Sequence, residues 1–248
     1  MTSNLKAAKV MNLTKPIFED RPYQIESVDA VFTYLKKCPD KHPLVALPTG
    51  SGKTAVMNLI VKRIRSRFPN AKIVIVSHEQ EILKQNAKAM ESIGKVSINS
   101  SGLGRREIGH LTVAGIQSVF RNAEEFEEFD WVIIDEAHTI PTSDSSMYRK
   151  FFKGVGKHTR IGLTATPYRL GQGYIIGDSH MFDKIVIDLT YGARFTRLVK
   201  DGYISPLIAH ATEIKLDTED IHIQGGLSLI HISEPTRLRR KSRMPSSA

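Results

Sequence analysis

Ala46-Leu47-Pro48-Thr49-Gly50-Ser51-Gly52-Lys53-Thr54 begins inside the apolar run Leu44-Val45-Ala46-Leu47 and opens an amphipathic stretch that reaches to about Phe68. An apolar run, a Pro, a Gly-rich turn and then a helical period read as strand, loop and helix. Such a loop turns successive backbone N–H groups and a helix N-terminus toward one point, which favours a polyphosphate, and its glycines leave no Cβ in the way. In that arrangement Lys53 meets the β- and γ-phosphates and the Thr54 hydroxyl meets Mg²⁺. Leu47 stands where the strict G-x-x-x-x-G-K-[ST] pattern has its first Gly. The plain alternative is a Gly/Ser turn that caps an ordinary helix.

A second stretch bears on that choice. Trp131-Val132-Ile133-Ile134 is an apolar run of the kind a buried parallel strand needs, and Asp135-Glu136-Ala137-His138 follows at its C-terminal end. Open α/β sheets place ligands at the carboxyl ends of their strands. Asp135 suits a Mg²⁺ ion, directly or through water, and Glu136 suits polarisation of an attacking water. Alone, the acid pair would read as the cap of the next helix. Downstream of a phosphate loop it reads as the second half of a phosphoryl-transfer site.

Pro48–Thr54, Asp135-Glu136-Ala137-His138 and Gly162-Leu163-Thr164-Ala165-Thr166-Pro167 resemble, in order, motifs I, II and III of superfamily 2 helicases. Arg21-Pro22-Tyr23-Gln24 resembles the adenine-reading segment that many of them place before motif I. Ala114–Val119, Leu163–Gly171 and Leu198–Ile204 bring the chain close to RadD-like DNA repair helicases with the restriction-subunit type of ATPase domain. The resemblance runs from about Arg21 to Gly226. It implies an α/β fold, a RecA-like P-loop NTPase domain whose mostly parallel sheet carries helices on both faces. The implied cofactors are ATP and Mg²⁺. The implied partners are DNA, single-stranded or branched, and a second RecA-like domain that supplies an arginine finger.

The resemblance also assigns residues. Arg21, Gln24 and Pro48, Thr49, Gly50, Ser51, Gly52, Lys53 and Thr54 would bind nucleotide, and Thr54 and Asp135 would hold the metal. Glu136 and Lys53 would act in catalysis. His138, Thr164 and Thr166 would link the γ-phosphate to the nucleic-acid side, while Ser77, His78, Gln117, Ser118 and Arg169 would contact nucleic acid. Gln24 carries a donor and an acceptor that match the N6 and N7 edge of adenine, and it also suits the surface of an amphipathic helix. His78 fits a helix cap as well as a nucleic-acid contact.

The chain has 248 residues, 41% of them hydrophobic and 25% charged, which is ordinary for a soluble domain with a sizeable core. One cysteine, Cys38, excludes a disulfide framework and a cysteine-based zinc site. No apolar run reaches membrane-spanning length, and the N-terminus lacks a signal-peptide core, so the expected location is cytoplasmic. The net charge is +9. Leu227–Arg237 and Ser242–Ala248, however, look like the translation of a sequencing-library adaptor and the flow-cell sequence that follows it. Leu238–Lys241 would then translate an index. The five basic residues of that tail against Glu234 account for +4, which leaves +5 for the remainder. On this reading the chain divides into an edge segment (1–20), a RecA-like domain (21–210), the start of an interdomain connection (211–226) and an adaptor-derived artefact (227–248). It is then an N-terminal fragment, which is expected to bind nucleotide weakly and turn it over poorly.

The remaining elements follow from period and punctuation. Helices are expected over Arg21–Lys37, with the stripe Ile25, Val28, Val31, Phe32 and Leu35, over Lys53–Phe68, and from Ser77–Gln80 to about Ser92. Ala71–Ser77, Leu111–Gly115, Arg160–Leu163 and Lys184–Leu189 read as strands. Val96–Gly109 has little pattern, and Arg105 and Arg106 read as a basic loop. Glu124–Glu128 reads as an exposed acidic face, and Thr190 as the cap of a helix from Tyr191 to Asp201. The readings set against an ATP-dependent repair helicase are a restriction-type DNA translocase subunit and a non-catalytic nucleic-acid-binding module with a vestigial phosphate loop.

Overall fold

A run of four or five aliphatic residues is too short for a helix, and when it is buried on both faces it satisfies its backbone by pairing with neighbours on either side. The computed structural model describes residues 20–206 except 142, 144, 170–172 and 178–180, together with the antiparallel pair Ile223–Gln224 and Leu227–Ser228. The edge segment before Asp20, residues 207–210 and the rest of the expected connection and tail lie outside the described residues.

The first half of the chain forms α1 (Pro22–Lys37), β1 (Pro43–Ala46), α2 (Lys53–Arg67), β2 (Ile73–Ser77), α3 (Gln80–Met90), β3 (Ser97–Ser100), β4 (Arg105–Arg106) and β5 (Leu111–Gly115). The second half adds α4 (Ile116–Val119), β6 (Trp131–Ile134), α5 (Met147–Gly154), β7 (Thr159–Thr164), β8 (Tyr168–Arg169), β9 (Gly173–Tyr174), β10 (Lys184–Asp188) and α6 (Gly192–Lys200). Eight strands join one sheet in the order β10-β1-β7-β6-β2-β5-β3-β4. Its pairings are parallel except the last, where β4 turns back along β3.

Successive strand residues point to opposite faces, and each face has its own helices. Val45, Ile73, Ile75, Val113 and Ile133 pack with Val31 of α1, Ile60 of α2 and Leu83 of α3. Leu44, Val74, Val76 and Val132 pack on the other side with Phe126, Tyr148 and Phe151. This is the expected parallel α/β architecture, with helices on both faces. The chain leaves β1 for β2, β5 and β3 and then returns to lay β6 and β7 between β2 and β1. That reversal brings the carboxyl ends of β1, β7 and β6 side by side, the crevice where sheets of this type hold ligands.

Three local expectations are corrected. Val96–Gly109 is not patternless coil but holds β3 and the two-residue edge strand β4, with Asn99 opposite Arg106 and Ser100 opposite Arg105. Ile25 is 43% exposed, so α1 instead buries Tyr23, Gln24 and Ser27 with Val28, Val31 and Leu35. Thr190 is not the cap of α6, which falls to Tyr191. The Thr190 amide and hydroxyl both donate to Asp188 Oδ1, at 2.9 and 2.6 Å. The acidic run is exposed as expected, but it folds around a fully buried Phe126.

Candidate functional site

Pro48 ends β1 because it cannot donate a ladder hydrogen bond. The Leu47 amide crosses instead to the Thr164 carbonyl at 2.9 Å, tying the exits of β1 and β7 together. Ser51 folds back on the turn, with its hydroxyl 2.6 Å and its amide 3.2 Å from the Pro48 carbonyl. Gly50 at φ 80° and Gly52 at φ 85° occupy the left-handed region that lets the turn close on itself. Gly52 also caps α2 and brings no side chain to its first N–H groups, which leaves them for an anion.

The start of α1 braces this loop. The Tyr23 hydroxyl and the Gln24 amide, the latter at 3.1 Å, both donate to the Ser51 carbonyl. Gln24 Oε1 accepts the Arg21 amide at 3.0 Å, and the side chain is 4% exposed. Gln24 therefore holds the loop from beneath and is no surface residue. Arg21 lies over the Tyr203 ring, 5.3 Å from its centroid, and donates to the Tyr203 carbonyl at 3.1 Å. Sequence reasoning had no role for Tyr203, which follows Gly202, a left-handed residue at the end of α6.

The acids arrive from β6. Lys53 Nζ lies 3.2 Å from Glu136 Oε1, and His138 Nδ1 lies 3.3 Å from Glu136 Oε2. The hydrogen bond with His138 and the charge of Lys53 outweigh partial burial and hold the Glu136 carboxyl below its ordinary range. Glu136 has φ 51°, the only non-glycine positive φ among the described residues. A side chain in that region costs on the order of 1–2 kcal/mol, a cost tolerated where the surroundings fix it. Asp135 is buried, which raises its pKa. Its Oδ1 accepts the Glu136 amide at 3.0 Å and its Oδ2 accepts the Asn86 side-chain amide at 2.9 Å. Asn86 went unnoticed because a lone polar residue within a helical period reads as solvent-facing.

Thr164 Oγ1 stands 3.0 Å from His138 Nδ1 and donates to the Thr166 carbonyl at 3.2 Å. Thr166 joins through its backbone, its amide donating to Thr164 Oγ1 at 3.1 Å. The expected nucleic-acid residues separate into two groups. Ser77 is buried, its hydroxyl accepting from Asn86 at 3.1 Å, and Ser118 Oγ accepts the Ser101 amide at 2.8 Å. His78 and Gln117 are exposed neighbours, with Gln117 Nε2 donating to the His78 carbonyl at 3.0 Å. The helix α3 is capped by Glu79, so His78 is not its cap. Arg169 turns its guanidinium onto the carbonyls of His138 and Ile140, fastening the β8–β9 hairpin to the loop after the acids. A cleft of about 340 Å³ runs between these groups, lined by Thr49, Ser77, His78, Asp135, Glu136 and Thr166 among others.

Residues 17–169 match the family described as type III restriction enzyme, res subunit. A DNA 3'-5' translocase, XPB2, of Sulfurisphaera tokodaii is 31% identical over 158 residues, covering 63% of this chain and 33% of that protein. The general transcription and DNA repair factor IIH helicase/translocase subunit XPB/SSL2 of Saccharomyces cerevisiae is 23% identical over 205 residues, covering 77% of this chain and 23% of its own. A nuclease-deletion mutant of the type ISP restriction-modification enzyme LlaGI, solved with a DNA substrate mimic, superposes with a TM-score of 0.54 at 17% identity. That match covers 75% of this chain and 21% of that one. The chain thus spans about a third of the first of these curated relatives and about a quarter of the second.

Proposed function

The chain belongs to the type III restriction enzyme res-subunit family, with its superfamily 2 helicase type of ATPase domain, and from that premise we propose that it is the ATP-binding domain of a DNA-dependent helicase or translocase acting in DNA repair or recombination. The observation that carries this reading is the contact of Lys53 with Glu136, which joins the phosphate loop to the acid pair across the crevice.

The residues fit the cofactors. Magnesium is commonly held by one or two carboxylates together with substrate phosphates, and Asp135 and Thr54 offer a carboxylate and a hydroxyl from the two motifs. When bound, the ion would neutralise charge on the phosphates. The loop amides and the N-terminus of α2 would cradle the phosphates, and Lys53 would exchange Glu136 for them. Glu136, then released, would orient and deprotonate the attacking water. His138 touches both Glu136 and Thr164, so a change at the γ-phosphate would be felt at the strand end that faces nucleic acid. Contact there would fall to His78 and Gln117. The partners in this reading are DNA and a second RecA-like domain that supplies the remaining positive charge, so hydrolysis by this chain alone would be slow.

The family description also supports a restriction-type translocase subunit. A methyltransferase or nuclease domain in the same gene would select that reading. The direct test of the shared core is calorimetric titration of the chain with a non-hydrolysable ATP analogue. Binding that tightens with Mg²⁺ and weakens in chelator supports the proposal; no binding at millimolar analogue with Mg²⁺ overturns it.

A further inference from the structure

We propose that Asn86 is a positioning residue that sets the orientation of Asp135 for metal-dependent nucleotide binding, an inference that rests on the functional reading above. Asn86 sits on α3 and is wholly buried. Its Nδ2 donates to Asp135 Oδ2 at 2.9 Å and to Ser77 Oγ at 3.1 Å. With the Glu136 amide on Oδ1, each Asp135 oxygen is held by one donor, which fixes the plane of the carboxylate.

A purely structural role would favour a different residue. Asn is a poorer helix former than Ala or Leu by about 0.5 kcal/mol, and Asn86 Oδ1 is buried without a partner, an arrangement that costs about 1–3 kcal/mol. An apolar side chain would avoid both costs while filling the same space. What it would not supply is the donor to Asp135. Groups that hydrogen-bond a metal's ligands set the ligand geometry, and their removal commonly weakens metal binding about 10–100-fold.

The same amide also holds Ser77, the residue before the exposed His78. Ser77 ends β2 immediately before His78, whose carbonyl takes the Gln117 side chain, and the Glu79 carbonyl accepts the Leu83 amide in the first turn of α3. Asn86 is thus the link between the exposed segment at His78 and the buried acid.

The test is a magnesium titration of nucleotide binding, followed with a fluorescent ADP analogue, on the full chain and on Asn86→Ala and Asn86→Leu. Asn86→Leu keeps about the same volume and removes the donor; Asn86→Ala removes the side chain at a position where Ala favours the helix. The expected result is a rise of about 10-fold or more in the Mg²⁺ concentration at half-saturation, with binding in chelator unchanged. A residue that only supports the fold would weaken both measurements together. Half-saturation at the wild-type concentration in either folded variant, or equal loss with and without Mg²⁺, would overturn the inference and leave the functional reading standing. A wild-type chain that shows no Mg²⁺ dependence would overturn both.

Discussion

Lys53 Nζ lies 3.2 Å from Glu136 Oε1, so the end of the Gly-rich loop and the acid that follows β6 touch directly. Both side chains are partly enclosed, at 13% and 25% exposure, which strengthens the attraction over that of a surface pair. In the proposed reaction Lys53 must leave this partner for a phosphate. Lys53→Ala removes the destination charge and is expected to weaken Mg²⁺-nucleotide binding by about 10–100-fold, the value of one or two charge-assisted hydrogen bonds. Calorimetric titration measures it. Affinity equal to wild type would favour a vestigial loop that takes no part in the binding.

The same ion pair gives Glu136→Gln an opposite signature. The amide keeps the shape and frees Lys53, so nucleotide affinity should hold or improve. The base is lost, and hydrolysis in a protein carrying the second RecA-like domain should fall about 10²–10⁴-fold. Because Glu136 is held below the ordinary carboxylate range, its protonation should not limit the wild-type rate near neutral pH. Binding and single-turnover hydrolysis, measured side by side, check the split. A variant that still hydrolyses at the wild-type rate would remove Glu136 from the mechanism.

Gly50 and Gly52 share a left-handed backbone but not their surroundings. A Cβ on Gly50 would meet nothing within 4 Å, whereas one on Gly52 would stand 2.7 Å from Gln24 Nε2. Each Gly→Ala change should cost about 1–2 kcal/mol in backbone strain. Gly52→Ala should additionally push Gln24 off the Ser51 carbonyl and disturb nucleotide binding. Thermal melts should therefore rank the variants wild type, Gly50→Ala, Gly52→Ala. Equal losses would mean that the brace from α1 contributes nothing.

How far the sequence alone reached follows from burial. Strands β1, β2, β5, β6 and β7 lie mostly or wholly inside the sheet, so β1, β2 and β6 read as nearly continuous apolar runs, while Thr112 and Gly162 interrupt those of β5 and β7. The candidate site residues at their ends stood out because phosphate and metal chemistry, where it operates, demands particular residue types at particular spacings. β3 and β4 escaped because Ser97, Asn99 and Ser100 are polar, and the pairing of Arg105–Arg106 is an edge contact with no apolar signature. Asn86, Tyr203 and the inward turn of Gln24 escaped for a related reason. Each acts through a hydrogen bond or ring contact to a residue distant in the chain, and no local period records such a partner.

Far from the loop, at the opposite ends of the strands, a second group of side chains makes the fold sensitive to acid. His42 precedes β1, and its Nδ1 stands 3.2 Å from the Arg160 amide, positioned to accept its hydrogen. Its ring faces that of His158, with centroids 6.2 Å apart. Burial, with Arg160 next, lowers the His42 pKa from 6.5 to about 4, and burial lowers that of His158 as well. Both rings are thus neutral in the fold at pH values where the unfolded chain would protonate them. The sign follows: the unfolded state binds more protons below the ordinary imidazole value, so stability is full above pH 6.5 and falls as the pH drops toward about 4. For a fully enclosed ring that shift is worth roughly 3 kcal/mol, and solvent screening at a partly open one reduces it to about 1–2 kcal/mol. Asn at position 42 does not titrate and can still offer an oxygen to the Arg160 amide. Urea midpoints measured from pH 7.5 down to 4.5 should therefore fall less steeply for His42→Asn than for wild type, with the residual slope carried by His158 and the carboxylates. Parallel curves for the two proteins would show that His42 stays uncoupled from folding.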